Sequence, residues 1–419
     1  DGEIGVLKFP DGFLWGAATS AHQTEGGNVS SDFWALENAA PSFFTERSGD
    51  AIDHYHRFRD DIALLAALGL GAYRFSVEWA RIEPEEGYFS AAVLSRYQRY
   101  IDACLEHGVA PIVTFQHFTL PLWQARRGGF TDAGFADRFA RFCDRAAGAL
   151  RGFNIACTLN ELNLPILFRD QYLIEHYGHA AECRKAAEAI LGGSLANTFL
   201  FTPAEAILTH GLEAHRKARA AIKDHHPSAQ VGVTLAIQDE QAEPGAEKLR
   251  DDRRKRYYDN CLEAVAGEDF IGVQAYTRVV ARKDGSTGPE PGHPITVMGY
   301  EDRPQALAES CRYVWERART PIIVTENGWA GDDDRRRIAF IREAVAGLHR
   351  AMSEGVDVRG YFYWSLFDNF EWLAGYAPKF GLIAVDRATQ SRRIKPSAIA
   401  FGEIARLNGL PGNAARRRQ

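Results

Sequence analysis

Eight short apolar runs recur along the chain, each rich in β-branched or aromatic residues. They are Phe13–Ala18, Ala72–Val77, Ala110–Phe115, Ile155–Leu159, Val231–Leu235, Phe270–Val273, Pro321–Thr325 and Val358–Trp364. Between them lie longer stretches of helical pattern, including Ala51–Leu68, Ala91–His107, Ala133–Leu150, Pro203–His225 and Arg335–Glu354. A strand that is apolar on both sides belongs in a sheet covered on both faces, and strand–helix alternation makes that sheet parallel. Eight such units predict an α/β fold, a single (β/α)8 TIM barrel formed by residues 1–419. A doubly wound open sheet is the alternative architecture. The 46% hydrophobic content suffices for one large core, and no low-complexity linker divides the chain.

A net charge of −6 gives no general attraction to nucleic acid or to anionic membranes, and neither is expected as a partner. The basic runs Arg335–Arg337 and Arg416–Arg418 are expected to be solvated charge. Cys104, Cys143, Cys157, Cys183, Cys261 and Cys311 are scattered, without CxxC pairs or metal-ligand spacing. They are expected to be reduced or buried thiols. No apolar run is long enough to span a bilayer, and no signal peptide is visible. The expected compartment is the cytoplasm, although the chain begins at Asp1 rather than Met. The sequence leaves the oligomeric state open.

Barrel enzymes carry their chemistry at the C-terminal ends of the strands. The first run is followed by His22, Gln23 and Glu25, and the second contains Arg74. The third ends in Gln116 and His117, the fourth in Asn160 and Glu161, and the sixth leads to Gln274 and Tyr276. The seventh ends in Glu326 and Asn327, and the eighth in Trp364, with Glu371 and Trp372 beyond it. Seven of the eight tips are therefore polar or aromatic, more than packing requires. The fifth contributes no such residue.

Glu161 and Glu326 each stand directly after an apolar strand and a polar residue, at tips four and seven. Cleaving a glycosidic bond needs one carboxyl to protonate the leaving oxygen and another to attack or stabilise the anomeric carbon. Two carboxylates facing each other across a barrel mouth meet that need without a metal, and no cofactor is expected. Helix capping or salt bridging is the structural alternative for either glutamate alone.

The segments Thr158-Leu159-Asn160-Glu161 and Thr325-Glu326-Asn327-Gly328 resemble the acid/base and nucleophile motifs of the family 1 glycoside hydrolases, the β-glucosidase and β-galactosidase family. The resemblance extends to Phe13–Ser20, His22–Gly26, Tyr73-Arg74-Phe75-Ser76 with Trp79 and Arg81-Ile82, and Trp364–Trp372. Six motifs follow in the family's order from about residue 8 to residue 400. This resemblance implies a retaining exo-β-glycosidase, with Glu161 as acid/base and Glu326 as nucleophile. Arg74 and Tyr276 would support the nucleophile. Gln23, His117, Asn160, Glu371 and Trp372 would bind the terminal sugar's hydroxyls over a floor formed by Trp364. Retention further implies carboxyls about 5–5.5 Å apart.

Leu162 replaces the family's usual Pro, Phe118-Thr119 its Trp-Asp, and Gln274-Ala275 its Asn-Tyr. These departures surround the glutamates and bear on sugar and aglycone preference. Glu371, where relatives acting on 6-phosphosugars typically carry Ser, implies unphosphorylated substrates. The segments Ala281–Asp302 and Ile174–Thr198 are either substrate-selecting or simply exposed loops. The expected activity is hydrolysis of terminal β-glucosides, with galactosides or fucosides as further substrates. Transglycosylation shares the same intermediate, and a carbohydrate-binding barrel without catalysis is the alternative from another class.

Overall fold

The computed structural model describes residues 6–171 and 180–411. Eight parallel strands close into a barrel in sequence order: β1 (Leu14–Ala18), β2 (Ala72–Ser76), β3 (Ala110–Gln116), β4 (Ile155–Leu159), β5 (Gln230–Ala236), β6 (Ile271–Gln274), β7 (Ile322–Asn327) and β8 (Val358–Trp364). Closure is made by β8 pairing with β1, from Gly360 opposite Leu14 to Trp364 opposite Ala18, which excludes an open sheet. The expected strands are all present, with edges that differ by at most one or two residues.

Helices α1 (His54–Ala67), α2 (Ala91–Glu106), α3 (Phe135–Ala149), α4 (Leu212–His225), α5 (Asn260–Val265), α6 (Ala306–Ala318), α7 (Asp334–Ser353) and α8 (Pro396–Leu407) surround the strands. Local chemistry sets their ends. Ser90 caps α2 by accepting from the Val93 amide, and the Asp333 carboxylate accepts from the amides of Arg335 and Arg336 at the start of α7. Pro396 sits in the first turn of α8, where its missing N–H costs nothing. Asn408 ends that helix in the left-handed conformation, and its side-chain oxygen accepts from Trp15 Nε1 at 2.9 Å. The last helix is thereby tied to the first barrel strand.

Two expected helices differ in detail. Residues Ala51–Asp53 form a turn, with Asp53 left-handed, so α1 begins only at His54. The Pro203–His225 stretch contains a π-helical turn at Ile207–Gly211 before α4. The basic run at Arg335–Arg337 requires correction, because it is not uniformly solvated. Arg337 is buried, bonded to Asp334 and to the carbonyls of Gly331 and Lys379, while Arg336 pairs with Asp302 and Glu343. The buried Arg337 guanidinium is retained because a carboxylate and carbonyls surround it, while Arg336 stays half-buried. The Arg416–Arg418 run, the chain's first residue and part of Ile174–Thr198 lie outside the described residues. All six cysteines are free and buried. No helix among the described residues is long and apolar enough to cross a membrane.

A second, small sheet stands above the barrel. Residues Arg278–Ala281 pair with Asp239–Ala242 on one side and with Thr287–Gly288 on the other. It holds the Ala281–Asp302 segment at the C-terminal mouth.

Candidate active site

A cleft of about 450 Å³ opens at the C-terminal ends of the strands and reaches both Glu161 and Glu326. Its volume suits a small ligand. Glu326 lies near the end of β7 and is 4% exposed. Arg74 on β2 donates to its Oε1 at 2.8 Å, and the Tyr276 hydroxyl donates to its Oε2 at 2.6 Å. Both oxygens therefore have fixed donors. Gly328, two residues on, lets this strand end approach β8, since a Cβ there would lie 2.0 Å from the Trp364 carbonyl oxygen.

Arg74 is fully buried and is itself positioned by the barrel. Its Nη2 donates to Asn160 Oδ1 at 2.5 Å and its Nε to Thr114 Oγ1 at 3.1 Å. Asn160 Oδ1 also accepts from Thr234 Oγ1 at 3.2 Å, while its Nδ2 donates to His117 Nε2 at 3.1 Å. That bond makes Nε2 an acceptor and leaves the proton on Nδ1. His117 Nδ1 is buried with no partner. Burial, and secondarily the Arg74 charge, hold the imidazole well below its ordinary pKa, so it is neutral.

Glu161 follows β4 in the left-handed region, with φ of 48°. Its amide donates to Thr234 Oγ1 at 2.8 Å. Phe118 and Trp372, both lining the cleft, are left-handed as well, with φ of 70° and 50°. Each such conformation costs on the order of 1–3 kcal/mol, so the surrounding packing must hold it. Burial, then the nearby Glu326 charge, raises the Glu161 pKa to about 8, while the Gln274 amide and Arg74 oppose the shift. Burial also raises Glu326, but Arg74 and the Tyr276 hydroxyl pull it back. Glu161 has no cation bonded to it, so the first proton to leave the pair leaves Glu326.

Glu371 lines the same cleft; burial and the Glu326 charge raise its pKa to about 8. Its Oε2 is buried without a hydrogen-bond partner. Trp364 lies on the cleft wall and stacks with His117 at 5.8 Å between ring centroids, and His117 in turn stacks with Trp372 at 6.0 Å.

The structure thus brings Glu161, Glu326, Tyr276, His117, Trp364, Glu371 and Trp372 to one cleft. Gln23 and Asn160 are set behind it. The Gln23 amide nitrogen donates to the Phe370 carbonyl and to Asn369, and its oxygen accepts from Ser20. Among the family departures, Phe118 and Gln274 line the cleft. Thr119 instead turns its hydroxyl to Glu78, and Ala275 is buried.

Several contributors escaped the sequence reading. The fifth strand supplies Thr234, which holds both Asn160 and the Glu161 backbone, and a lone threonine inside an apolar strand was the available signal. Leu164, Leu167 and Phe168 line the cleft from the helix Leu164–Gln171 just after Glu161, at spacings of three and four. The segment after β6 contributes Val297, Met298 and Tyr300.

The model of glycosyl hydrolase family 1 matches residues 6–265 and 257–410. A β-glucosidase A of Thermotoga maritima is 30% identical, over 97% of this chain and all of its own length. A bifunctional β-D-glucosidase/β-D-fucosidase of Bifidobacterium breve is 31% identical, over 94% of this chain and 97% of its own. The crystal structure of β-glycosidase BGL167 superimposes with a TM-score of 0.90 at 48% identity, covering 95% of this chain and 97% of that one.

Proposed function

The chain belongs to glycosyl hydrolase family 1, and from that premise we propose that Glu326 is its nucleophile and Glu161 its acid/base. Family 1 enzymes are retaining β-glycosidases, and this chain is an O-glycosyl hydrolase of the β-glucosidase type. Its substrate is a small-molecule β-glycoside. The observation that carries the residue assignment is the asymmetry of the two carboxyls: Arg74 and Tyr276 hold Glu326 from both sides, whereas Glu161 has no bonded cation.

In the first half-reaction Glu326 attacks the anomeric carbon as Glu161 gives its proton to the departing aglycone oxygen. A carboxyl with pKa near 8 still carries that proton at neutral pH. Esterification then removes the Glu326 charge, one of the two forces holding the Glu161 pKa up. The Glu161 pKa falls, and it becomes a base able to take a proton from the attacking water. Double displacement retains the β configuration.

The sugar's hydroxyls would meet two unused groups, the His117 Nδ1 donor and the Glu371 Oε2 acceptor, with Trp364 offering an apolar face. Gln23 and Asn160 support these groups from behind and would reach the sugar only by sharing bonds already made. Glu371 disfavours a phosphate on the sugar through like-charge repulsion once it ionises.

A 2-deoxy-2-fluoro β-glucoside with a good leaving group tests the assignment. It should label Glu326 and no other residue, as read by peptide mass mapping. Label on another carboxyl, or an α-configured first product, would remove it. Glu326→Gly should lower kcat/KM by more than about a thousandfold.

A further inference from the structure

We propose that two buried threonines beneath the cleft are positioning residues with different tasks: Thr234 aims the acid/base Glu161, and Thr114 fixes Arg74 for the nucleophile Glu326. The inference rests on the assignment of Glu161 and Glu326. The barrel interior below the site is apolar, with Ile112 on β3, Phe270 before β6, Ile323 on β7 and Phe362 on β8 packed together. Side chains alternate along a strand, so Thr114 and Thr325, each two residues further on, share the inward face with Ile112 and Ile323. Thr234 on β5 joins them. A Cβ on Gly272 of β6 would lie 2.7 Å from Thr234 Cγ2 and 2.9 Å from Thr325 Oγ1. All three threonines are buried. Valine suits such strand positions as well, so packing does not account for the hydroxyls.

The hydroxyls of Thr234 and Thr114 reach different parts of the site. Thr234 Oγ1 accepts from the Glu161 amide at 2.8 Å and donates to Asn160 Oδ1 at 3.2 Å. Its methyl fills the space that Gly272 leaves, which holds Oγ1 toward Glu161. Glu161 is left-handed, and without this acceptor its amide would lose its bond and the strained turn its anchor. The aim of the Glu161 carboxyl would change, while Arg74 and Tyr276 would still hold Glu326. Thr114 Oγ1 accepts from Arg74 Nε at 3.1 Å, while the two Nη groups serve Glu326 and Asn160. Removing that acceptor loosens the guanidinium and, with it, the carboxylate that attacks. Every glycoside needs the nucleophile, whereas only a poor leaving group needs the acid. The two threonines therefore separate kinetically.

The test is kcat/KM for phenyl and 2,4-dinitrophenyl β-D-glucosides, per active site counted by trapping with a 2-deoxy-2-fluoro glucoside. Phenol needs a proton from Glu161 to depart, whereas dinitrophenolate departs without one. Thr234→Val should lower the phenyl-to-dinitrophenyl ratio at least about tenfold, and Thr234→Ala, which adds no methyl in place of the hydroxyl, should do likewise. Thr234→Ser keeps the hydroxyl and should return the ratio to within about threefold of the parent. Thr114→Val should lower both rates at least about tenfold, with the ratio held within about threefold. Counting active sites removes any unfolded fraction, so a purely structural role would leave the ratio untouched. The proposal is overturned by a ratio that neither Thr234→Val nor Thr234→Ala moves, or by a Thr234→Ser ratio as low as that of Thr234→Val. A Thr114→Val enzyme that keeps both rates, or that loses the ratio as Thr234→Val does, overturns it too. Failure of the parent to hydrolyse even 2,4-dinitrophenyl β-glucoside, or trapping on a residue other than Glu326, would instead remove the catalytic assignment, and this inference with it.

Discussion

Glu161, Glu326 and Glu371 share one cleft, and burial raises the pKa of each. The basic limb of the kcat/KM profile should therefore fall near pH 8 and belong to Glu161, since loss of its proton removes the general acid. Glu161→Gln should abolish that limb for an activated aryl substrate whose departure needs no acid. Gln274 refines the point. Its Oε1 accepts from Thr325 Oγ1 at 2.9 Å, and its amide favours the Glu161 anion, although Nε2 forms no hydrogen bond of normal geometry. Gln274→Ala should move the basic limb upward, and a downward move would mean that the amide acts through another group. The same burial has a stability consequence. A carboxyl protonated in the fold but ionised in the unfolded chain holds an extra proton when native. Its cost therefore opens above the ordinary value of 4.5 and stops growing above about 8. Glu161→Gln should accordingly raise the melting temperature at pH 8 and leave it unchanged at pH 4. Thermal unfolding at the two pH values reads this directly.

Between β6 and α6, the segment that supplies Val297, Met298 and Tyr300 is held by the small sheet and, beside it, by a buried ion pair. Glu301 accepts from Arg278 Nη2 at 2.6 Å and from the Glu290 amide at 2.9 Å, and its own amide donates to Thr277 Oγ1. Glu301→Ala would strand the Arg278 charge in a buried site, which costs about 3–5 kcal/mol. Limited proteolysis should then cut within Ala281–Asp302 faster than in the parent. Elements of this kind explain what the sequence could and could not reveal. The barrel strands were legible because a strand buried on both faces shows as an unbroken apolar run, as Leu14–Ala18 does. The helix Glu247–Arg254 was not, because eight residues with no buried member carry no apolar stripe. Glu161 and Glu326 were visible at their tips, but Leu164, Ile237 and Met298 each read as ordinary core residues. They come from three segments, and only folding brings them to one wall.

Stability and activity occupy different layers of the whole molecule. The cleft at the strand tips holds two buried carboxyls and the half-buried Glu371, left-handed residues at Phe118, Glu161 and Trp372, and unpartnered polar atoms on His117 and Glu371. These features favour binding and chemistry over stability. The layer between barrel and helices is different: Phe401 on α8 is fully buried and packs on Trp15, Tyr361 and Tyr363 with centroid separations of 5.6–6.3 Å. Phe401→Ala opens a cavity there and should cost about 3–5 kcal/mol, visible as a lower denaturant midpoint, while kcat/KM at 25 °C stays within about twofold. Glu161→Gln should do the reverse at pH 8, raising stability while removing acid catalysis. Because the two sites share no partner, their effects on stability should add in the double variant to within about 0.5 kcal/mol. A larger discrepancy would mean that the packing of α8 is transmitted through β1 and β8 to Trp364, so that the rigidity of the outer layer sets the geometry of the sugar floor.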